Sequence, residues 1–413
     1  MERIKGKIPK RRFEGFTDDW EQRKWSEVVD ISTEMVDPRT GEFDELPHVA
    51  PGNIESFTGQ LFDNVRLVKE ENLVSGKFHF YNGDIIYGKI NPQLGKYVFA
   101  RFEGLTSADA YVLNSKNGID QKYLFAVLQT KDFYDYSVSV SKRSGMPKIN
   151  RNELNAYRFM APSLEEQDKI GQVLLDLDHL ITLHQRKLEK LKNIKKSYLS
   201  EMFPQEDEKK PKRRFKGFTD DWEQRKFSDC YRMSSGYAFK MSDYCDGGIG
   251  LINGESIQHG IINDDNLNHL PESFIQQYPD FVLKEGDIVV GLNRPITNGN
   301  IKIARIPSKY NDSLLYQRAG KIVYKENCDK NFSYVLLSQE ILKHTLVEAV
   351  GSDQPFISTS KLDKWQMMIP SNIEEQKKIG NYFRNLDHLI TLHQRKLEKL
   401  KNIKQAYLNE MFV

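Results

Sequence analysis

Apolar residues recur at alternating spacings of four and three positions in two long segments of the chain. A stripe that repeats every 3.5 residues on average is typical of a helix that pairs with another helix. The predicted seam consists of Ile170, Leu174, Leu177, Ile181, His184, Leu188 and Leu191 in the first half, and of Ile379, Phe383, Leu386, Ile390, His393, Leu397 and Leu400 in the second. Two nearly identical seams satisfy each other about a pseudo-twofold axis, so we expect the helices to pair antiparallel.

Each helix is preceded by a start signal, a proline and a serine followed three residues later by a glutamate. These capping boxes lie at Pro162–Glu166 and Pro370–Glu374. About 40 helical residues rise roughly 60 Å, so we expect the pair to act as a spacer that carries one domain at each end.

Two polar or small positions interrupt each stripe. His184 and His393 lie on the seam, where a polar residue commonly sets the register, and we favour that role over catalysis or metal binding. Gly171 and Gly380 lie at equivalent positions inside the helices. A glycine there weakens a helix, so we expect close backbone approach to the adjoining domain.

The chain is an internal duplication. Pro9–Ser26 recurs as Pro211–Ser228 with 16 of 18 residues identical, and Leu177–Phe203 recurs as Leu386–Phe412 with 24 of 27 identical. Between these blocks the halves differ, except for sparse landmarks such as Gly-Asp-Ile at Gly83 and at Gly286. We call the repeated blocks the frame. We infer that the frame has the same function in both halves, whereas the divergent middles have two different functions.

The divergent middles mix strand and helix signals. Short β-rich runs at Lys96–Arg101 and Asp287–Leu292 lie between turns, and helical patterns occur at Gln121–Asp132 and Asn331–Ala349. The predicted fold class is α+β, with two mixed α/β domains separated by two long antiparallel helices that form a coiled coil. The predicted segments are a basic N-terminal segment and frame repeat (1–19), a first domain (20–160), a first long helix (161–203), a linker and second frame repeat (204–221), a second domain (222–368) and a second long helix (369–413).

The composition mainly argues against certain classes of protein and of binding site. The formal net charge is only +2, so a nucleic-acid site has to be local, and the basic runs Arg3–Arg12 and Arg186–Lys196 fit solvated faces equally well. No apolar stretch approaches the length of a membrane span and no secretory leader is evident, so we expect a cytoplasmic protein without a membrane partner. The cysteines, Cys230, Cys245 and Cys328, lack metal or redox spacing and are expected to be reduced.

The turns of both middles carry the side chains that read DNA, namely Arg or Lys for guanine and Asn or Gln for adenine, beside cations that hold phosphates. Taken singly, each is also typical of an ordinary surface residue. The candidate DNA-binding residues are Lys89, Asn91, Lys96, Lys142, Arg143 and Lys148 in the first domain, and Asn293, Arg294, Asn298, Asn300, Lys302 and Gln354 in the second.

Signatures of catalysis are missing from the sequence. It has no phosphate-binding Walker loop, no glycine-rich cofactor fingerprint and no His/Cys metal cluster, so we predict no catalytic residue, metal or cofactor in this chain. Asn91-Pro92-Gln93-Leu94 is not the Asn-Pro-Pro-aromatic motif of adenine methyltransferases. Acidic pairs are plentiful, so a nuclease site stays open as an alternative.

Over essentially its whole length the layout resembles the specificity subunit of type I restriction-modification systems. The resemblance rests on the GDI-x-x-G-x-x-x-P elements at Gly83 and Gly286, on the Pro-x-x-x-Glu-Gln helix entry at Pro162–Gln167, and on the repeated helices. The second entry, Pro370–Gln376, has one extra residue, which leaves its cap position open.

The resemblance implies a non-catalytic subunit that recognises a bipartite, asymmetric target in double-stranded DNA. Two methylation subunits would dock on the frame and methylate adenine with S-adenosylmethionine, and restriction subunits would add ATP- and Mg-dependent cleavage. Two alternatives remain: a coiled-coil scaffold with two protein-binding domains, and a tandem-domain nuclease. DNA binding through phosphates predicts an affinity that falls steeply with salt, which a protein scaffold does not.

Overall fold

The computed structural model describes residues 8–142, 145–205, 207–265, 267–348 and 355–413. The chain divides into two compact units. The first consists of Met1–Glu189 with Leu392–Val413, and the second is Lys190–Thr391. Each unit therefore contains one mixed α/β domain and part of each long helix. No helix among the described residues combines the length and apolarity that a bilayer crossing requires.

The strands of the first half are short, and the last helix is long. The strands are β1 (Glu21–Lys24), β2 (Val29–Ile31), β3 (Met35–Val36), β4 (Pro47–Val49), β5 (Arg66–Leu67), β6 (Lys77–Phe80), β7 (Ile85–Gly88), β8 (Tyr97–Phe99), β9 (Gly104–Thr106), β10 (Ala110–Ser115) and β11 (Arg158–Ala161). The helices are α1 (Trp25–Val28), α2 (Gln121–Val127), α3 (Lys131–Ser141), α4 (Arg151–Ala156) and α5 (Leu164–Glu201).

The second half repeats this plan with its own insertions. Its strands are β12 (Glu223–Lys226), β13 (Tyr231–Ser235), β14 (Ile249–Ile252), β15 (His269–Leu270), β16 (Ile288–Gly291), β17 (Ile296–Thr297), β18 (Asn300–Ile301), β19 (Ile303–Arg305), β20 (Leu314–Leu315), β21 (Ala319–Tyr324) and β22 (Gln366–Ile369). Its helices are α6 (Phe227–Cys230), α7 (Phe274–Gln277), α8 (Lys330–Glu348), α9 (Thr359–Leu362) and α10 (Ile373–Glu410).

The central sheets of the two units have the same topology. One is a four-stranded antiparallel sheet in the order β2-β10-β7-β8, and the other has the order β13-β21-β16-β19. In each unit a strand of the repeated frame also pairs antiparallel with the strand that leads into the long helix, β1 with β11 and β12 with β22. The predicted mixed α/β fold with long helices is thus confirmed.

Two predicted element bounds were wrong. The helical pattern Gln121–Asp132 is interrupted between α2 and α3, because the Thr130 side chain accepts a hydrogen bond from the Phe133 amide and caps a new helix. At the start of α10 the capping side chain is Asn372, which accepts from the Glu374 amide at 2.9 Å, and not the predicted Ser371. The extra residue at this entry accounts for the shift.

The long helices run antiparallel where they meet inside each unit. In the first unit Asp178 pairs with Lys404, and His184 faces His393 with 2.9 Å between their Nδ1 atoms. In the second unit Lys195 pairs with Asp387 at 2.6 Å. The seam side chains are buried, except for Leu191, Ile390 and Leu397, which are half-buried.

A buried glutamate in the first turn of each long helix binds an arginine of the frame. In α5 it is the glutamate of the predicted capping box, whereas in α10 it is Glu375 and not the predicted Glu374. Glu166 is fully buried, and both of its carboxylate oxygens accept from Arg12 at 2.8 Å. Its counterpart Glu375 is bound in the same way by Arg214, at 2.6 and 2.7 Å. The Pro9–Ser26 block and its repeat are therefore fastened to the first turn of α5 and α10 respectively.

The two helix glycines lie where another helix begins. A Cβ on Gly171 would come within 2.6 Å of the Tyr123 amide nitrogen, and one on Gly380 within 2.3 Å of the Phe332 amide nitrogen. The preceding turn of each long helix adds a repeated contact. Gln167 accepts from the Asp120 amide at 2.9 Å, and Gln376 accepts from the Asp329 amide at 3.0 Å. The close approach expected from the sequence is thus found.

We predict that Gly380→Ala destabilises the second unit. The new methyl would overlap the backbone at Phe332, and overpacking a site of this kind costs about 1–3 kcal/mol of unfolding free energy, more than the ~1 kcal/mol gained in helix propensity. Asn385→Ala, at an exposed position of the same helix, is the control. Urea denaturation of the full chain measures both variants, and wild-type stability for Gly380→Ala would contradict the prediction.

The facing histidines predict a pH-dependent stability. Burial lowers the pKa of His184 and of His393, and Lys396 and Lys187 lower both further. Because the pKa of both histidines in the folded state lies below the usual value of about 6.5, folding favours their neutral form. The free energy of unfolding is therefore greatest above pH 6.5 and decreases as the pH falls below it.

The Tm of the double variant His184→Asn/His393→Asn should therefore decrease less than that of the wild type when the pH is lowered from 7.5 to 5.5. The control is His179→Asn/His388→Asn, which changes the exposed equivalents on the same helices and should keep the wild-type slope. Equal slopes for wild type and the seam variant, measured by thermal denaturation, would refute the assignment.

Candidate nucleic-acid interface

Two loops come together beside the central sheet of the first unit. The Asn91 amide donates to the Pro147 carbonyl at 2.8 Å, and the Ile149 amide donates to the Lys89 carbonyl at 3.0 Å. An isolated β-bridge joins Ile90 to Lys148 between these bonds. We call residues 88–96 and 145–150 the first loop pair.

The second unit contains the equivalent arrangement. The Arg294 amide donates to the Pro355 carbonyl at 3.1 Å, the Ile357 amide donates to the Leu292 carbonyl at 3.0 Å, and Asn293 bridges Phe356. We call residues 291–302 and 355–358 the second loop pair. The two pairs thus occupy the same place in the two domains.

Cations cluster at the first loop pair, with the carboxylate of Asp109 nearby. Lys89 and Arg151 both lie against the ring of Tyr111, at 5.2 and 5.7 Å from its centroid. Burial lowers the pKa of Lys89 and the nearby Lys148 lowers it further, while Asp109 raises it to a smaller extent. Within the described part of this unit neither lysine has an ion-pair partner, so an anion that binds here would relieve their repulsion.

The second loop pair borders a cavity of about 490 Å³. Arg294, Lys302 and Arg318 supply positive charge to its lining, and Glu255 is an acidic member. Asn253, Asn268 and Asn293 add amide groups, which both donate and accept hydrogen bonds. The cavity therefore combines phosphate-binding cations with groups suited to base edges.

The remaining candidates from the sequence differ in their surroundings. The Lys96 ammonium donates to the Ile54 carbonyl and lies 5.6 Å from the centroid of the Phe62 ring, which indicates a structural role. Asn298 and Asn300 form the exposed tip of the β17–β18 hairpin, where Asn298 adopts a left-handed conformation before Gly299. Lys142 is exposed just after α3. Arg143 and Gln354 lie outside the described residues.

Sequence reasoning missed Arg151 and Arg318. Arg151 lies in α4, where its guanidinium donates to the carbonyls of Ile31 and Ser32. Arg318 is exposed and lines the cavity, and its carbonyl accepts from the Leu292 amide. Neither lies beside a repeated landmark, so their only sequence signal was charge.

Comparison with known proteins identifies the family of this chain. The family model described as "Type I restriction modification DNA specificity domain" matches residues 17–193 and again 219–402. This chain belongs to that family. The "Type I restriction enzyme MjaVIII specificity subunit" of Methanocaldococcus jannaschii is 32% identical over 318 residues, which cover 76% of this chain and 74% of the relative. The resemblance inferred from the sequence is thereby confirmed.

Other relatives extend the match over nearly the whole chain. The "Putative type I restriction enzyme MjaX specificity subunit" of the same organism is 24% identical over 95% of this chain and 92% of its own length. The crystal structure of the type I restriction-modification system S subunit from M. genitalium shares the fold, with a TM-score of 0.68 and 14% identity over 98% of this chain and 99% of that chain. Two copies of the specificity domain therefore account for both halves.

We predict that Lys148→Gln weakens binding to every DNA sequence by a similar factor. If the exposed Lys148 contacts a phosphate, its loss reduces the slope of log affinity against log salt by about 0.9. Fluorescence anisotropy with the full chain and labelled duplex DNA measures this slope. Lys69→Gln is the control, because Lys69 pairs with Glu45 beside further acids. An unchanged slope for Lys148→Gln would exclude the phosphate contact.

Proposed function

We propose that each α/β domain reads one half of a bipartite, asymmetric target in double-stranded DNA. The observation that carries the proposal is the equivalence of the two loop pairs, which share backbone hydrogen bonds but differ in side chains. Two readers of one architecture and different chemistry suit a target whose halves differ in sequence. Base contacts then specify each half-site, while the surrounding cations hold phosphates.

We further propose that the long helices set the number of unread base pairs between the half-sites. An ion pair and buried seam residues join the helix segments in each unit, and a histidine contact does so in the first unit, which supports a defined register. Half-sites on one face of the duplex would be centred about one helical turn, ~34 Å, apart or somewhat more.

The repeated frame supports two equivalent docking surfaces, since the same sequence occurs twice with the same internal contacts. We propose that two methylation subunits bind there and methylate adenine with S-adenosylmethionine, and that restriction subunits join through them with ATP and Mg. In this scheme the chain supplies recognition and is not itself catalytic, and base flipping belongs to the partners.

A domain exchange tests the proposal. The second domain, 222–368, is replaced by a copy of the first domain, 20–160, and adenine methylation is mapped in cells that carry the chain and its methylation partner. We expect the first half-site to remain and the second to be replaced by an inverted copy of the first, because the frame pairs antiparallel. The spacer should stay unchanged.

The reciprocal exchange is the control, and it should preserve only the second half-site. If either exchange changed both half-sites, the domains would not be independent readers. Absence of any sequence-specific methylation with the wild-type chain would favour the protein-scaffold alternative, for which DNA affinity would also lack a steep salt dependence.

A further inference from the structure

Asn91 and Arg294 occupy one equivalent position in the two domains. Each follows the Gly-Asp-Ile landmark of its half by the same number of residues, and each precedes a proline. Each amide donates to the carbonyl of a proline in the partner loop, Pro147 or Pro355. Sequence and hydrogen bonding thus give the same correspondence independently.

Both residues adopt a left-handed backbone conformation. Asn91 has φ of 51° and Arg294 has φ of 43°. Asparagine tolerates this region, but a long side chain is uncommon there and the conformation costs free energy. Such a cost at an exposed loop points to a task that the side chain performs from this backbone direction.

The side chain at this position is accessible. Arg294 is exposed, borders the cavity of about 490 Å³, and has no ion-pair partner in the part of the second unit that the structure describes. Asn91 is half-buried, and its amide oxygen accepts a weak hydrogen bond from Gln93 at 3.3 Å. Among the described residues no acceptor binds the side-chain nitrogen of Asn91, Nδ2, so this donor is available to a ligand.

The difference between the two side chains separates base reading from phosphate binding. A position that holds a phosphate needs a donor but gains most from a cation, and the first domain has no cation here. The cations lie on neighbouring residues instead, Lys89 and Lys148 in the first loop pair and Lys302 in the second. Position 91/294 is therefore free to vary in chemistry while its surroundings supply the charge.

We infer that this left-handed position selects one base in each half-site, with Arg294 reading a guanine and Asn91 reading an adenine in the major groove. The inference rests on the proposed function. The Arg guanidinium donates two hydrogen bonds to O6 and N7 of guanine, and an Asn amide accepts from N6 and donates to N7 of adenine. Both pairings are bidentate, so each discriminates strongly against the other base.

Reciprocal substitutions test the inference in the full chain with its methylation partner. Arg294→Asn should reduce the preference for guanine at one position of the second half-site by about 5- to 150-fold, and shift it toward adenine, with the first half-site unchanged. Asn91→Arg should shift one position of the first half-site from adenine toward guanine. Genome-wide methylation mapping measures both, and the domain exchange assigns each half-site to its domain.

Arg294→Lys is the matched control for charge. Lysine keeps the positive charge and the backbone strain but lacks the planar fork, so the guanine preference should fall while the salt dependence of affinity stays constant. Arg294→Asn should also raise Tm slightly, because asparagine tolerates the left-handed region better. A loss of specificity together with a gain in stability is not expected from a misfolded variant.

Two outcomes overturn the inference. Unchanged half-sites in Arg294→Asn, with affinity lowered equally for all sequences, would make Arg294 a phosphate contact. If Arg294→Asn and Lys302→Gln both change the preferred base at the same position of the half-site, another residue of the cavity selects that base. Both results leave a mapped bipartite target in the wild type, whereas failure of the proposed function would show as no sequence-specific methylation in the wild type.

Discussion

A buried bidentate ion pair fastens the frame of each unit to its long helix. Arg12 binds Glu166 in the first unit and Arg214 binds Glu375 in the second, and both carboxylates are almost inaccessible to solvent. Removing one partner of such a pair would leave a buried charge and cost about 3–5 kcal/mol. The arginine lies before the whole α/β domain in sequence and the glutamate lies after it, so the pair closes the domain at its base and fixes the direction in which the helix leaves.

A more exposed ion pair joins a frame block to the far end of each long helix. Arg11 donates to Glu410 at 2.7 Å, and Arg213 donates to Glu201 at 2.5 Å. Each short frame block therefore binds the beginning of one long helix and the end of the other. A block of this kind has little freedom to change sequence without losing contacts on two sides, whereas the loop pairs contact mainly their own domain and are free to differ.

The sequence predicted the frame better than the domains for a physical reason. The seam periodicity depends only on local helical geometry, so the spacing alone predicted that Ile170 and Phe383 are buried. The cost of a glycine within a helix predicted the close backbone approach at Gly380. The break at Thr130 was missed, because a single side-chain cap outweighed a continuous apolar pattern. At the candidate interface the sequence predicted the types of residue, but it did not predict which loops lie next to each other. The contact of Asn91 with Pro147 joins distant loops, and the attachment of Lys96 to a carbonyl depends on tertiary packing.

The first unit combines two segments that lie on either side of the second unit in the sequence. Leu392–Val413 belongs to it, and within it Phe412 stacks on Tyr123 and meets the edge of Trp20. The ribosome completes every residue of the second unit before it produces these side chains. The first unit therefore cannot bury Trp20 and Tyr123 against Phe412 until the whole second unit has been synthesised.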